Sequence, residues 1–569
     1  MEGRFPAEFF SEFYRIRLIC SDYLRDRTFL NGMLKNGLLF SLFLLLIAAW
    51  IAGLFIDLTG DAGLYAAISR QMVESGDWLN LKINGEPYDQ KPHLLFWLAG
   101  AGISIFGNTN FAFKLFPILF ALSGIYFTYR LAKLMFSETA GRWAALFTAT
   151  SQMFFLYFFD IHTDTVLQAA IMLSLWQLAV YLKNDNLIHF IAGFIGVGLA
   201  MFAKGPVGAV LPFFFVLFYL LQKKEFNQLY HPKWAAGIMI SLLIIFPTLY
   251  HLWESFGAKG LRFYFIDNNI GRVSGKVAGT STDPFYYLYN LLWALLPWTI
   301  PVLAGLAMEL RSWFSKGKVH AWSASLLGSV LALLIVFSIA RGKAPNYMMP
   351  LIAPMAVVAA GNLLQHMNHS GKRFKVVMVS HVLLMLLLLL LFGGTALLVN
   401  HNWLFFVLLL VVSSFLVVMY FNVEFSGMKR LLFITVTIAV DMNLFLNLKV
   451  VPVLFSYQGA RQALEIYERE RGELGLLKNL QLEEYELFFM AQSPVEEFNG
   501  WEDFYVHLDN EEPWVYTNLA GLNVVRELKN EPDTVYAIPQ RGMNELSLQF
   551  ILHHTREASL KENYLIKVR

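Results

Sequence analysis

Leu-, Phe- and Ile-rich blocks recur from Asn36 to about Val450, separated by short polar breaks. Many reach the ~17–25 apolar residues that cross a bilayer as a helix. The pattern predicts spans near 37–57, 114–135, 142–160, 164–182, 187–202, 206–222, 234–252, 288–309, 321–340, 346–364, 374–398, 403–421 and 430–450. The expectation is a polytopic α-helical membrane protein with about 13 transmembrane helices. The stretch "HLLFWLAGAGISIFG" (93–107) is apolar but too short for an ordinary span, as interfacial or re-entrant pieces are.

Parity decides where that stretch lies. If it stays on the membrane surface, the basic loops 130–142, 222–233, 311–318, 366–375 and 427–430 fall on one side with the N-terminal arm. Lys and Arg collect in cytoplasmic loops, so that side is the cytoplasm. The expected organisation is a cytoplasmic segment 1–36, a membrane domain 37–450 with an outer loop 58–113, and a soluble extracytoplasmic domain 451–569. The expected location is the cytoplasmic (inner) membrane, with the active site on its periplasmic, extracytoplasmic side.

Composition adds little to this picture. The chain is 57% hydrophobic and 15% charged, its net charge of +2 is spread over short loops, and its one cysteine, Cys20, excludes an intrachain disulfide. No nucleic-acid partner is expected, nor any Gly-rich nucleotide loop. From about Pro452 Glu and Lys become frequent and apolar runs shorten. "YQGARQALEIYERERGEL" (457–474) has helical spacing, whereas "YELFFMAQ", "FYVHLD", "PWVYTNL" and "TVYAIP" read as short strands. A small α/β domain on the outer face follows.

The charges that topology does not require gather on the outer face: Asp61, Asp77, Asp89, Lys91, Asp160, Asp164, Lys204, Asp267, Arg272, Arg341 and Lys343. Polar groups at the edge of the hydrocarbon are candidates for function. Asp61 is expected either to cap a helix beginning near Ala62 or to serve an incoming nucleophile as base or anchor. Asp164, with Asp160 and His162 beside it, has the same two readings. Lys204 precedes Gly205 and Pro206, where a helix N-terminus would draw an anion; snorkelling to headgroups is the alternative. With Lys91, Arg272, Arg341 and Lys343 it suggests a phosphate held near the lipid, beside Tyr347. The combination points to a transferase using a lipid-phosphate-linked group. A transporter or flippase of lipid-linked saccharide is the alternative, but it would place polar groups near the midplane and often show two related halves.

The stretch "GDAGLYAAISRQMVESGDWLNLKINGEPYDQKPHLLFWLAG" resembles the first periplasmic loop of GT-C glycosyltransferases related to the lipid A aminoarabinose transferase and the protein O-mannosyltransferases. "HTDTVLQ", "AMFAKGPVGAVLP", "FYFIDNNIGRV" and "FSIARGKAPNYMMPLIAP" resemble later blocks in the same order. The resemblance implies a GT-C fold and inverting transfer of a sugar from a polyprenyl-phosphate donor to an acceptor lipid, protein or surface glycan. It implies catalytic roles for Asp61 and Asp164. Donor-phosphate contacts would come from Lys91, Lys204, Arg272, Lys343 and Tyr347, and the residue pattern adds Arg341 to them. Tyr65, Tyr88, His162 and Asn269 are further polar candidates for the substrate site. The family's acid and Arg after the first Asp are Ala62 and Leu64 here, its "FEKP" is "DQKP" with Gln90, and a later His is Asn269. These departures argue against the metal site of some relatives and against transfer of aminoarabinose to lipid A. No cofactor is required, with divalent-metal dependence the open alternative.

Overall fold

The computed structural model describes residues 36–268, 271, 281, 283–314, 320–366, 371–399, 403–421, 427–470 and 476–568, the last with breaks at 481, 494, 499, 501–503, 505–513, 530–533 and 542–546. The expected cytoplasmic segment, Asn269, Arg272 and most of "FYVHLD" lie outside the described residues. Each predicted span is helical, and nine helices among the described residues are long and apolar enough to cross a membrane. The segment at 93–107 forms a helix only from Leu94 to Phe106. At about 1.5 Å per residue it is too short to span.

Two expected spans are broken, which corrects the reading of 142–160 and 288–309 as continuous helices. The first divides into Glu138–Ala149 and Gln152–Phe159. At the break Thr150 Oγ1 donates to the Leu146 carbonyl (2.7 Å) and Ser151 Oγ to the Thr148 carbonyl (2.9 Å). Such local side-chain bonds compete with the helical ladder. The second divides into Tyr286–Ala294 and Thr299–Trp313, around Pro297. The two breaks satisfy each other. Gln152 N–H donates to the Leu296 carbonyl (2.6 Å), and Trp298 Nε1 donates to Thr150 Oγ1 (2.8 Å). A break in a span persists only where protein partners take up the released backbone groups.

The outer loop folds back on the bundle. After Gly60, helix Asp61–Ser75 leads to a small hairpin pairing Lys82–Ile83 with Glu86–Pro87 through Asn84 and Gly85, both at positive φ. His93 Nε2 donates to the Leu79 carbonyl and its Nδ1 bonds Thr248 Oγ1 (2.9 Å each), and His251 Nε2 donates to the Tyr88 carbonyl (2.8 Å). Burial pushes the His93 imidazole down to about 3, so it stays a neutral strut.

The C-terminal domain, expected on the outer face, is a five-stranded sheet in the order Val495–Phe498, Leu477–Leu480, Trp514–Thr517, Lys561–Lys567, Thr534–Gln540. The first three strands are parallel and the last two pairings antiparallel. Alternation divides the faces: Trp514, Tyr516 and Leu565 pack on helix Gly459–Glu470, while Val515 and Ile566 pack on helix Leu519–Lys529. "PWVYTNL" and "TVYAIP" contain strands as expected, but "YELFFMAQ" does not. Glu486–Met490 is a helical turn, because Arg70 Nη1 holds the carbonyls of Phe488 (3.1 Å), Phe489 (3.0 Å) and Ala491 (2.5 Å), and the Phe489 ring packs on Phe113. The outer domain is thereby fastened to the helix that carries Asp61.

Close packing between helices is tight at Gly102, where an added Cβ would overlap the Ala112 carbonyl oxygen. Gly102→Ala is expected to destabilise the protein by about 1–3 kcal/mol, as overpacking does. Gly394→Ala, with nothing within 4 Å of the added Cβ, should leave thermal unfolding in detergent unchanged or slightly raised.

Candidate functional site

Lys204 is the last residue of helix Leu187–Lys204, not a lead-in to the next one. Gly205 turns the chain at φ 81°, and the following helix starts at Val207 with Pro206 at its N-cap. Glycine is needed at that positive φ. Asp164 lies in the first turn of helix Thr163–Asn184, whose N-cap is His162. Its side chain does not cap the helix. Instead Oδ2 accepts from Lys204 Nζ (2.5 Å) and Asn346 Nδ2 (2.7 Å). Asp164 is 1% exposed and Lys204 13%. The ammonium also lies 3.9 Å from the centre of the Tyr347 ring, a cation–π distance. Asn346 and Tyr347 come from the turn Pro345–Met348, so three segments far apart in sequence meet at one charge pair.

A cleft opens beside this pair, with about 1130 Å³ of empty space that includes open solvent. Lys91, Gln90, Asp164, Lys204, Asn268 and Tyr347 give it a polar end, and Val207, Val210, Val336 and Phe337 an apolar wall between two membrane helices. The structure therefore brings Lys91, Lys204, Asp164 and Tyr347 together. Arg341 and Lys343 do not line the cleft; Arg341 is exposed, and Lys343 is buried and donates to the Ala340 carbonyl. The sequence reading missed Asn346 and Asn268. Asn346 sits within the quoted block "ARGKAPNYMM", and only the fold puts it against a residue 182 positions away.

Asp61 opens a second, adjoining group. The N-cap of its helix is Gly60, at φ 56°, and Asp61 makes no capping bond, which removes the capping alternative. The carboxylate is 59% exposed. The Tyr65 hydroxyl donates to its Oδ2 (3.4 Å), and His162 Nδ1 lies 3.7 Å from the same oxygen. His162 Nε2 reaches Asp160 Oδ2 at 3.2 Å, and the Tyr65 and Tyr157 rings meet the imidazole edge-on. Tyr65 connects the two groups electrostatically. Burial first, then the charges of Asp61 and Asp164, hold its phenol well above its ordinary value and so neutral. Tyr88 is buried against Phe96 in the same loop. Gln90 Nε2 donates to Asp89 Oδ1 at 2.5 Å. Among the described residues, no three His, Cys, Asp or Glu side chains converge to hold a metal ion.

This geometry fixes the response of His162 to pH. Burial alone would lower its pKa, but the Asp160, Asp61 and Asp164 carboxylates outweigh that and raise it above 6.5. A raised folded value means the imidazolium stabilises the fold. That contribution is complete below pH 6.5 and is lost as pH rises through the folded value. The gap in melting temperature between the wild type and His162→Asn should therefore be widest below pH 6.5 and should close at higher pH.

The family described as dolichyl-phosphate-mannose-protein mannosyltransferase matches residues 90–251. The chain is 27% identical over 312 residues to undecaprenyl phosphate-alpha-4-amino-4-deoxy-L-arabinose arabinosyl transferase 2 of Proteus mirabilis, covering 53% of this chain and 54% of that one. It is 29% identical over 316 residues to the corresponding transferase of Yersinia enterocolitica, again 53% and 54%. The chain thus matches about half the length of these curated relatives. The crystal structure of ArnT from Cupriavidus metallidurans bound to undecaprenyl phosphate superposes with a TM-score of 0.71 at 20% identity, over 94% of this chain and 98% of that one. The chain is thus a multi-pass helical membrane protein with the fold of that transferase structure, and it is similar over about half its length to the aminoarabinose transferases.

Proposed function

We propose that the protein is an inverting glycosyltransferase that moves a sugar from a polyprenyl-phosphate donor to an acceptor at the outer face of the cytoplasmic membrane. The observation that carries the proposal is the cleft in which Lys91, Lys204 and Tyr347 face an apolar wall between membrane helices. A polyprenyl phosphate has the same two parts: an anion for the lysines and a hydrocarbon chain for Val207, Val210, Val336 and Phe337. Burial of that chain supplies binding free energy in proportion to its apolar area.

In the reaction the bond from the anomeric carbon to the phosphate oxygen breaks, and the electron pair leaves with the phosphate. The Lys204 and Lys91 ammonium groups would stabilise the charge that develops there. An acceptor hydroxyl attacks from the opposite face, and its proton passes to the exposed Asp61 carboxylate. Asp164 then acts as a positioning residue. Buried and paired, it holds Lys204 in place rather than reaching the acceptor. Tyr65, Tyr88 and His162 would line the sugar and acceptor side. The outer domain, anchored beside Asp61 through Arg70, is proposed to help select among a lipid, a protein and a surface glycan as acceptor.

Purified protein in lipid, offered a panel of polyprenyl-phosphate sugars, should release and transfer one of them. Asp61→Asn is expected to lower turnover by about 10²–10⁴-fold, the range for a general base. Lys204→Ala should lower it by about 10²–10³-fold, as loss of one charge-stabilising donor does. Binding without turnover of any donor, or turnover untouched by both substitutions, would shift the reading to a transporter of lipid-linked saccharide.

A further inference from the structure

A second cleft lies away from the site described, where the outer ends of the first and last spans meet the outer domain. It holds about 1030 Å³ of empty space, open to solvent. Phe55, at the end of helix Asn36–Leu54, and Leu448 and Phe455, in Lys429–Phe455, form its lower wall. Phe55 is 64% exposed and Leu448 43%. The upper wall is one face of the amphipathic helix Gly459–Glu470, carrying Arg461 and Glu465, with Asp57 opposite. The other face of that helix, at Ala460, Ala463, Leu464 and Tyr467, is buried in the outer domain. The polar rim thus sits directly above side chains at the hydrocarbon boundary.

The charges define what fits. Arg461 Nη1 pairs with Asp57, and Arg461 Nε donates to Glu465 Oε1 at 3.1 Å. A guanidinium has five N–H donors, so three have no partner among the described residues. Asp57 is further fixed by Asn110 Nδ2 at 2.9 Å. One cation against two carboxylates leaves the rim net negative. It can take a phosphate on the free guanidinium donors only if the same molecule brings a cation for Glu465, whose side chain is 67% exposed.

We infer that this cleft binds a zwitterionic phospholipid with a primary ammonium headgroup, of the phosphatidylethanolamine class. The phosphate meets Arg461, the ammonium meets Glu465, and an acyl chain lies on Phe55, Leu448 and Phe455. A choline headgroup carries its charge without an N–H to donate, and a glycerol headgroup brings no cation to offset the carboxylates. Both are weaker fits on the same contacts.

The test is lipid retention. The full chain is reconstituted in bilayers containing equal parts of ethanolamine, choline and glycerol phospholipids, extracted mildly, and its bound lipids are counted by native mass spectrometry. The ethanolamine lipid should be enriched about tenfold over the other two, the ratio that one good charged contact can supply. Glu465→Gln should remove that preference while leaving the Asp57–Arg461 pair and the melting temperature in place. Arg461→Gln should lower retention of every lipid, with its fold checked by the same melting measurement. Equal retention of the three lipids, a preference for the glycerol lipid, or an ethanolamine preference unchanged in Glu465→Gln would overturn the inference. Displacement of the lipid by an equal concentration of soluble O-phosphoethanolamine would also overturn it.

Discussion

Lys204 and Asp164 meet where the ends of two neighbouring helices converge, with side chains 13% and 1% exposed. Removing two charges from water is costly, and attraction offsets that cost only with good geometry and further hydrogen bonds. Asn346 supplies a second bond to the carboxylate, and the Tyr347 ring faces the ammonium. Loss of one partner would leave a buried charge uncompensated, at a cost of about 3–5 kcal/mol. Helices Thr163–Asn184 and Leu187–Lys204 and the turn at Pro345–Met348 are thus held in one arrangement, which gives the cleft its polar end.

The outer loop completes the cleft from a different direction. Lys91 stands between the hairpin and helix Leu94–Phe106, and its segment is held by the His93 and His251 contacts to backbone carbonyls. The Asp61 helix is clamped on its far side by the outer domain through Arg70. Neither Lys91 nor Asp61 is placed by its own side-chain contacts alone. Both depend on side chains behind them that bond backbone carbonyls, which fits groups whose own polar ends face an open cleft or solvent.

The spans were legible because twenty apolar residues in a row leave few alternatives. The cluster of Asp61, Asp164, Lys91 and Lys204 followed from charges that topology did not require. The breaks at Thr150–Ser151 and Pro297 were not legible as breaks. The Leu296 carbonyl accepts from Gln152 N–H and Thr150 Oγ1 from Trp298 Nε1, and these contacts span well over a hundred residues. "YELFFMAQ" was misread for a similar reason: its alternation suits a strand, and only Arg70 and Phe113 make the helical turn the better choice. The pairing of Asp164 with Lys204 lay outside local pattern altogether. Two residues read as separate functional groups turned out to share one hydrogen bond, which separates the proposed base, Asp61, from the proposed positioning residue, Asp164.

The buried Asp164–Lys204 pair is proposed to present an ammonium group to a lipid phosphate. A cryo-EM structure of the protein with an added polyprenyl phosphate tests this most directly. The phosphate is expected within hydrogen-bond reach of Lys204 and Lys91, with the chain running along Val207, Val210 and Val336. A phosphate bound elsewhere, out of reach of Lys204, would contradict it.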